Sequence, residues 1–282
     1  MKRQLLSLLT LSALSWSLWS TADAQVKLPP ASSSQKIVQS VGIKNISLSY
    51  NRPNGNGRQV FGGLIPYNEV WRTGANNIPA LTFEENVTIA GKPVPAGTYG
   101  ILTIPGTKTW TVILSKNAQQ WGAYKYAESE DLLRFQVTAE TLSQAVETFQ
   151  MSFDNVTDTS VELALAWDKT KVKFPIVVDQ KAAIAASLKE AMQGEKKPYF
   201  AGAQYYLKNN LDINQALAWI NEAQKENPKA PHIAYWKAKI QLKAGDKSGA
   251  KATALQGKNL AQEAKNPEYV KLNEQVLAEA SK

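Results

Sequence analysis

Ser160-Val161-Glu162-Leu163-Ala164-Leu165-Ala166-Trp167 alternates small or polar residues with large apolar ones. A period of two puts every second side chain on one face of an extended chain, the mark of a half-buried strand. The same texture surrounds it. Thr109-Trp110-Thr111-Val112-Ile113-Leu114, Leu133-Arg134-Phe135-Gln136-Val137 and Thr148-Phe149-Gln150-Met151-Ser152-Phe153 repeat the alternation. Turn residues separate these runs, at Gly91-Lys92-Pro93-Val94-Pro95-Ala96-Gly97, Pro105-Gly106 and Asp168-Lys169. The pattern predicts strands over 36–41, 43–50, 80–84, 86–90, 98–104, 109–115, 132–138, 147–154 and 159–167, with 170–177 pairing back after a turn. Many short strands at this spacing predict an antiparallel β-sandwich or jelly-roll-like domain over residues 30–178.

From Asp179 onward the alternation stops and Ala, Lys, Gln and Glu dominate. Helices are predicted over 181–193, 198–209, 213–226, 231–244, 247–264 and 267–280. Gly194, Asn227-Pro228, Ala230-Pro231, Gly245-Asp246 and Asn266-Pro267 punctuate them, because these residues stop or cap helices. A shift of 34 residues carries Ala216 onto Ala250, Ile220 onto Ala254 and Ala223 onto Gly257. That period and its small residues resemble the tetratricopeptide repeat, in which small side chains let paired helices approach. The likeness is partial, with Phe200 where a Trp is usual and Gln204 at a position usually small. The fold class expected is therefore mainly β followed by α, with a small tetratricopeptide-like helical domain over 179–282.

Composition limits the chemistry. The chain has 282 residues, 44% hydrophobic and 20% charged, with no cysteine and one histidine, His232. Disulfides, thiol nucleophiles and thiolate metal sites are thereby removed, and multi-histidine metal sites with them. No metal or cofactor is expected. Met1-Lys2-Arg3, the apolar run from Leu5 to Trp19 and the ending Ala22-Asp23-Ala24 read as a signal peptide over 1–24. The expected address is periplasmic or secreted, with no lipid anchor, since no cysteine follows the leader, and no membrane span after cleavage. Residues 25–178 carry 14 Lys and Arg against 12 Asp and Glu, and residues 179–282 carry 16 against 11. The basic surplus lies in the helical half as dispersed lysines, which reads as a solvated surface or as attraction to anionic partners. Nucleic acid is not an expected partner. A protein partner is expected on the helical repeats, since stacked hairpins form extended concave surfaces.

The densest polar and aromatic stretch runs from Tyr50 to Asn77 with no convincing strand or helix. Loops of that length in a β domain are usually functional or mobile. Arg52, Arg58 and Arg72, three of the four arginines of the β half, lie in it with Glu69, Trp71 and Asn76. One reading is a pocket whose arginine forks hold a small anionic, hydroxylated or glycan-like ligand against aromatic faces. The other is that Trp71 plugs the end of the sandwich and Glu69 pairs with an arginine. Trp121 and Tyr124, in Trp121-Gly122-Ala123-Tyr124, add aromatic rings on a loop, suited to stacking on sugars. A rival reading is a carbohydrate-active enzyme pairing Glu69 with Glu128, Glu130 or Asp131, since glycosidases work with two carboxyl groups.

Several strings here are similar to one known family. They are Arg52-Pro53, Phe61-Gly62, Trp71-Arg72-Thr73-Gly74-Ala75-Asn76, Gly91-Lys92-Pro93-Val94-Pro95-Ala96-Gly97-Thr98-Tyr99 and Trp121-Gly122-Ala123-Tyr124. The chain resembles, over about residues 30–178, the exported bacterial family catalogued as domain of unknown function 2911. The resemblance implies an envelope address and helical repeats after the β domain. It carries no catalytic residue with it.

Overall fold

The computed structural model describes residues 28–282; the signal peptide expected over 1–24 lies outside them. By contacts the chain divides between Ile176 and Val177 into two units. The first holds ten strands: β1 (Ser33–Val41), β2 (Lys44–Arg52), β3 (Ala80–Phe83), β4 (Val87–Ile89), β5 (Lys92–Val94), β6 (Gly97–Ile104), β7 (Thr109–Ser115), β8 (Asp131–Thr138), β9 (Glu140–Asp154) and β10 (Ser160–Val177). A six-stranded sheet has the order β1-β2-β3-β6-β7-β8, and a four-stranded sheet the order β5-β4-β10-β9. The pairs β1–β2, β2–β3, β3–β6, β6–β7 and β7–β8 of the first sheet, and β4–β5 and β9–β10 of the second, are antiparallel.

Their apolar faces meet. Leu48 of β2, Leu81 of β3, Ile101 of β6 and Val112 of β7 are fully buried, as are Leu163 and Val172 of β10. The Tyr50 hydroxyl crosses from β2 to β9, accepting from the Met151 amide at 2.9 Å and lying 3.0 Å from the Met151 carbonyl. Its burial raises the phenol's pKa above the ordinary value. Phe135 of β8 meets Phe174 of β10 edge-on at 5.1 Å.

Two strand readings change. The expected turn at Asp168-Lys169 is a bulge inside one long strand, β10. Asp168 takes φ +49, which Asp tolerates better than most residues, and the β9–β10 register slips on both sides of it. Burial moves from Val161, Leu163, Leu165 and Trp167 to Val172, Phe174 and Ile176, so the parity switches while the same strand stays in the core. Lys92-Pro93-Val94, read as part of a turn, is the short strand β5. Ala90 and Gly91, at φ +50 and +72, make the tight turn that pairs it with β4.

The second unit is six helices: α1 (Lys181–Ala191), α2 (Tyr199–Lys208), α3 (Ile213–Glu226), α4 (Pro231–Lys243), α5 (Lys247–Glu263) and α6 (Pro267–Ala280). Their starts follow local chemistry. The side chains of Asp212, Asp246 and Asn266 accept from amides of the first turns of α3, α5 and α6, and Pro231 and Pro267 occupy first turns. From α2 onward each helix packs on the next.

Gly257 of α5 lies where α5 closes on α4 and α6. A Cβ there would lie 2.4 Å from Asn273 Oδ1 and 3.0 Å from the Ala234 Cβ. Asn273 is fully buried and its side-chain Nδ2 donates to the Tyr269 carbonyl at 2.7 Å, so it cannot yield freely. Helix propensity favours Gly257→Ala by about 1 kcal/mol, but overpacking costs about 1–3 kcal/mol. Packing is expected to win, lowering the urea midpoint of the helical unit; a raised midpoint would show that α5 and α6 can separate cheaply.

Candidate functional site

The stretch after β2 has little regular structure, yet its backbone is fastened along its length. Four isolated bridges pin it: Asn54 to Thr148, Phe61 to Ile65, Trp71 to Thr103 and Asn77 to Trp121. At its start Gly55 N donates to the Glu147 carbonyl at 2.9 Å, and Phe149 N to the Pro53 carbonyl at 2.8 Å. This binds it to β9. At its end Trp71 N donates to the Thr103 carbonyl at 2.7 Å, and Thr103 N returns a bond at 3.0 Å. This binds it to β6. Gly122 N donates to the Asn76 carbonyl at 2.8 Å, tying in the aromatic segment before β8.

Trp71 belongs to the core. It is 6% exposed and stacks on Trp167 of β10 at 5.9 Å with 20° between planes. Phe61, Trp110 of β7 and Phe149 of β9 present edges to it at 5.9, 6.1 and 5.4 Å. The cluster therefore joins both sheets. The buried Trp71 indole N–H has no hydrogen-bond acceptor among the described residues. The Trp167 N–H donates to the Glu147 carbonyl at 3.0 Å.

Beside this cluster the loop lines an open cavity of about 530 Å³. Arg58, Glu69, Trp71, Arg72 and Tyr124 all line it. Arg58 is braced by its own turn, donating from Nε to the Gly55 carbonyl and from Nη2 to the Asn54 carbonyl, both at 2.8 Å. Arg72 donates from Nε to the Gly74 carbonyl at 3.4 Å, and its guanidinium carbon lies 6.0 Å from the Trp121 ring centre. Neither arginine pairs with a carboxylate among the described residues. Glu69 is exposed on the same wall, without an ion pair among the described residues. Tyr124 is 79% exposed and Trp121 62%, with rings 6.0 Å apart and 21° from parallel.

The other sequence candidates lie outside the lining. Arg52 closes β2, and its Nε donates to the Phe149 carbonyl at 3.1 Å, beside Gln35 and Gln150. Asn76, at φ +56, contributes its backbone carbonyl to Gly122. Trp121 flanks the cavity through Tyr124 and Arg72. Asn54, Asn56, Leu64 and Trp167 also line it, although the sequence did not single them out. The Asn54-Gly55-Asn56-Gly57 turn signal was a clue to the first two; the others depend on tertiary approach.

The carboxylates of the enzyme reading are held elsewhere. Asp131 accepts from Arg134 at 2.9 Å and from Tyr126 at 3.1 Å. Glu128 lies 3.5 Å from Arg134, and Glu130 accepts from Asn117 at 3.3 Å. Burial, then the hydrogen bond to Asp131, raises the Tyr126 phenol's pKa above its ordinary value. None of these three carboxylates lines the cavity with Glu69. Among the described residues, no three His, Cys, Asp or Glu side chains gather as a metal ion would require.

Fold and cavity together define a class: a β-sandwich domain with an arginine-lined cavity under a backbone-fastened loop, followed by a separate helical unit. The chain belongs to the family described as protein of unknown function (DUF2911), whose model matches residues 32–176. No curated protein and no solved structure matches the chain.

Proposed function

We propose that the chain is an exported cell-envelope protein, periplasmic or secreted, that binds rather than catalyses. Its β unit takes a small, anionic, glycan-like ligand in the cavity beneath the loop. Its helical unit, read as two tetratricopeptide-like hairpins with flanking helices, engages a protein partner. The observation that carries the ligand reading is the convergence of Arg58, Arg72, Glu69 and Tyr124 on one cavity floored by Trp71. Two guanidinium groups against one carboxylate favour an anion, and the exposed Tyr124 ring offers a flat face to a sugar. The leader Met1–Ala24 supports export. The repeat reading is supported by Ala216, Ile220 and Ala223 of α3 and their counterparts Ala250, Ala254 and Gly257 of α5, all of them buried.

Calorimetry with uronic-acid oligosaccharides and their neutral counterparts tests the ligand reading. The acidic sugars are expected to bind the wild type. Arg72→Ala should weaken them at least tenfold, the scale of one charged hydrogen bond at about 1.5–3 kcal/mol. Arg52→Ala, whose guanidinium serves the Phe149 carbonyl, should leave the affinity unchanged. Equal losses in both variants, or no binding of any acidic sugar, would remove the cavity as the site.

A further inference from the structure

A second cavity, of about 540 Å³, lies in the helical unit. Lys208 at the end of α2 lines it, with Trp236, Lys239, Leu242 and Lys243 of α4. Two ammonium groups share one ring: Lys239 Nζ is 5.5 Å and Lys208 Nζ 5.8 Å from the Trp236 ring centre. Lys239 Nζ also lies 5.6 Å from the Tyr235 ring centre. None of the three lysines pairs with a carboxylate among the described residues. Elsewhere in the same unit Lys225 pairs with Glu222 at 2.6 Å and Lys258 with Glu274 at 2.8 Å. Glu279 of α6 also lines the cavity, so its charged lining remains positive by three to one.

Gathering three like charges around one concavity is electrostatically costly, and aromatic faces offset that only in part. We infer that this groove is the docking site for an acidic peptide segment of a partner protein. An apolar side chain of that segment seats on Trp236 and Leu242, and flanking carboxylates meet Lys208, Lys239 and Lys243. The residue types favour this occupant. Lysine is a point charge that accepts carboxylates from many directions, whereas phosphate recognition favours the planar fork of arginine, and the helical unit contains no arginine. The apolar floor suits a peptide side chain between acids, and charges arranged around a concavity suit a strand-like segment better than a flat lipid surface. The inference rests on the reading of the helical unit as the partner-binding part.

Fluorescence anisotropy on the full chain tests it with two labelled decapeptides. One is rich in Asp and Glu around a central Leu; the other has Asn and Gln in place of the acids. The acidic peptide is expected to bind and the neutral one to bind at least tenfold more weakly. Lys239→Gln should weaken the acidic peptide roughly fivefold, the effect of one surface charge pair. Lys271→Gln, an exposed lysine outside the cavity, should change nothing. Unaltered circular dichroism would establish that both variants keep their fold. Equal losses in the two variants would reduce the effect to diffuse charge and overturn the inference. Should both peptides bind alike and both be lost in Trp236→Ala, the partner reading stands and the acidic specificity falls. If neither peptide binds, both fail at this surface. Anionic phosphatidylglycerol vesicles or oligothymidylate binding more tightly, with the same dependence on Lys239, would also overturn it.

Discussion

Trp71→Ala is expected to destabilise the β unit by about 3–5 kcal/mol, the usual cost of removing a large ring from a core. The figure discriminates between the two roles that the sequence allowed this residue. A ring serving only as a binding face would be largely exposed in the free protein, and its loss would cost about 1 kcal/mol or less. Trp71 is instead 6% exposed, with four other aromatic rings from the loop and both sheets around it. Edge-to-face and offset contacts add about 0.5–1.5 kcal/mol per pair beyond the area buried. Removing it also takes the floor from the cavity, so ligand affinity should fall with stability. Urea unfolding followed by far-ultraviolet circular dichroism reads the first effect. A loss below about 1 kcal/mol would place the ring's contribution in binding alone.

Gly74→Ala should cost about 2–4 kcal/mol, for two reasons that add. Gly74 has φ +136, a region that side-chain-bearing residues rarely enter. A Cβ there would also stand 2.8 Å from the Asn51 backbone carbonyl, which β2 holds in place. The Gly74 carbonyl accepts from Arg72 Nε, so relief of the clash would displace the guanidinium from the cavity wall. Gly57 is the control. It has φ +71, but a Cβ there meets nothing within 4 Å, so Gly57→Ala should cost only about 1–2 kcal/mol. Similar midpoint shifts for the two variants would mean that the Asn51 contact relaxes without cost.

Much of this architecture was legible because it is written in local chemistry. The alternation of β7 and the punctuation at Gly245-Asp246 and Asn266-Pro267 put element boundaries close to where the structure has them. What escaped depended on distant partners. Lys92-Pro93 looks like a turn until β4 is beside it, and Asp168 looks like a turn until β9 holds it as a bulge. The loop itself stood out by its arginines and aromatics. Its inner division did not: Arg52 and Arg58 are six positions apart, but β9 captures the first by its Phe149 carbonyl while the Asn54–Gly55 turn braces the second at the cavity. Trp167 reads as a core residue, and it is one; that its ring also borders the cavity follows only from Trp71 stacking on it.

The bridges of the loop have a mechanical meaning. Asn54 fastens the loop to the four-stranded sheet and Trp71 fastens it to the six-stranded one, so the segment between them is a strap across the sandwich. In a chain without cysteine it holds the two layers together as a crosslink would, but through backbone hydrogen bonds that no reductant can cut. Parting the layers would tear out the strap and the cavity wall in the same event. If the proposed ligand fills the cavity, it should brace the strap and slow amide exchange at Gly55 and Thr103, on opposite layers, by a similar factor.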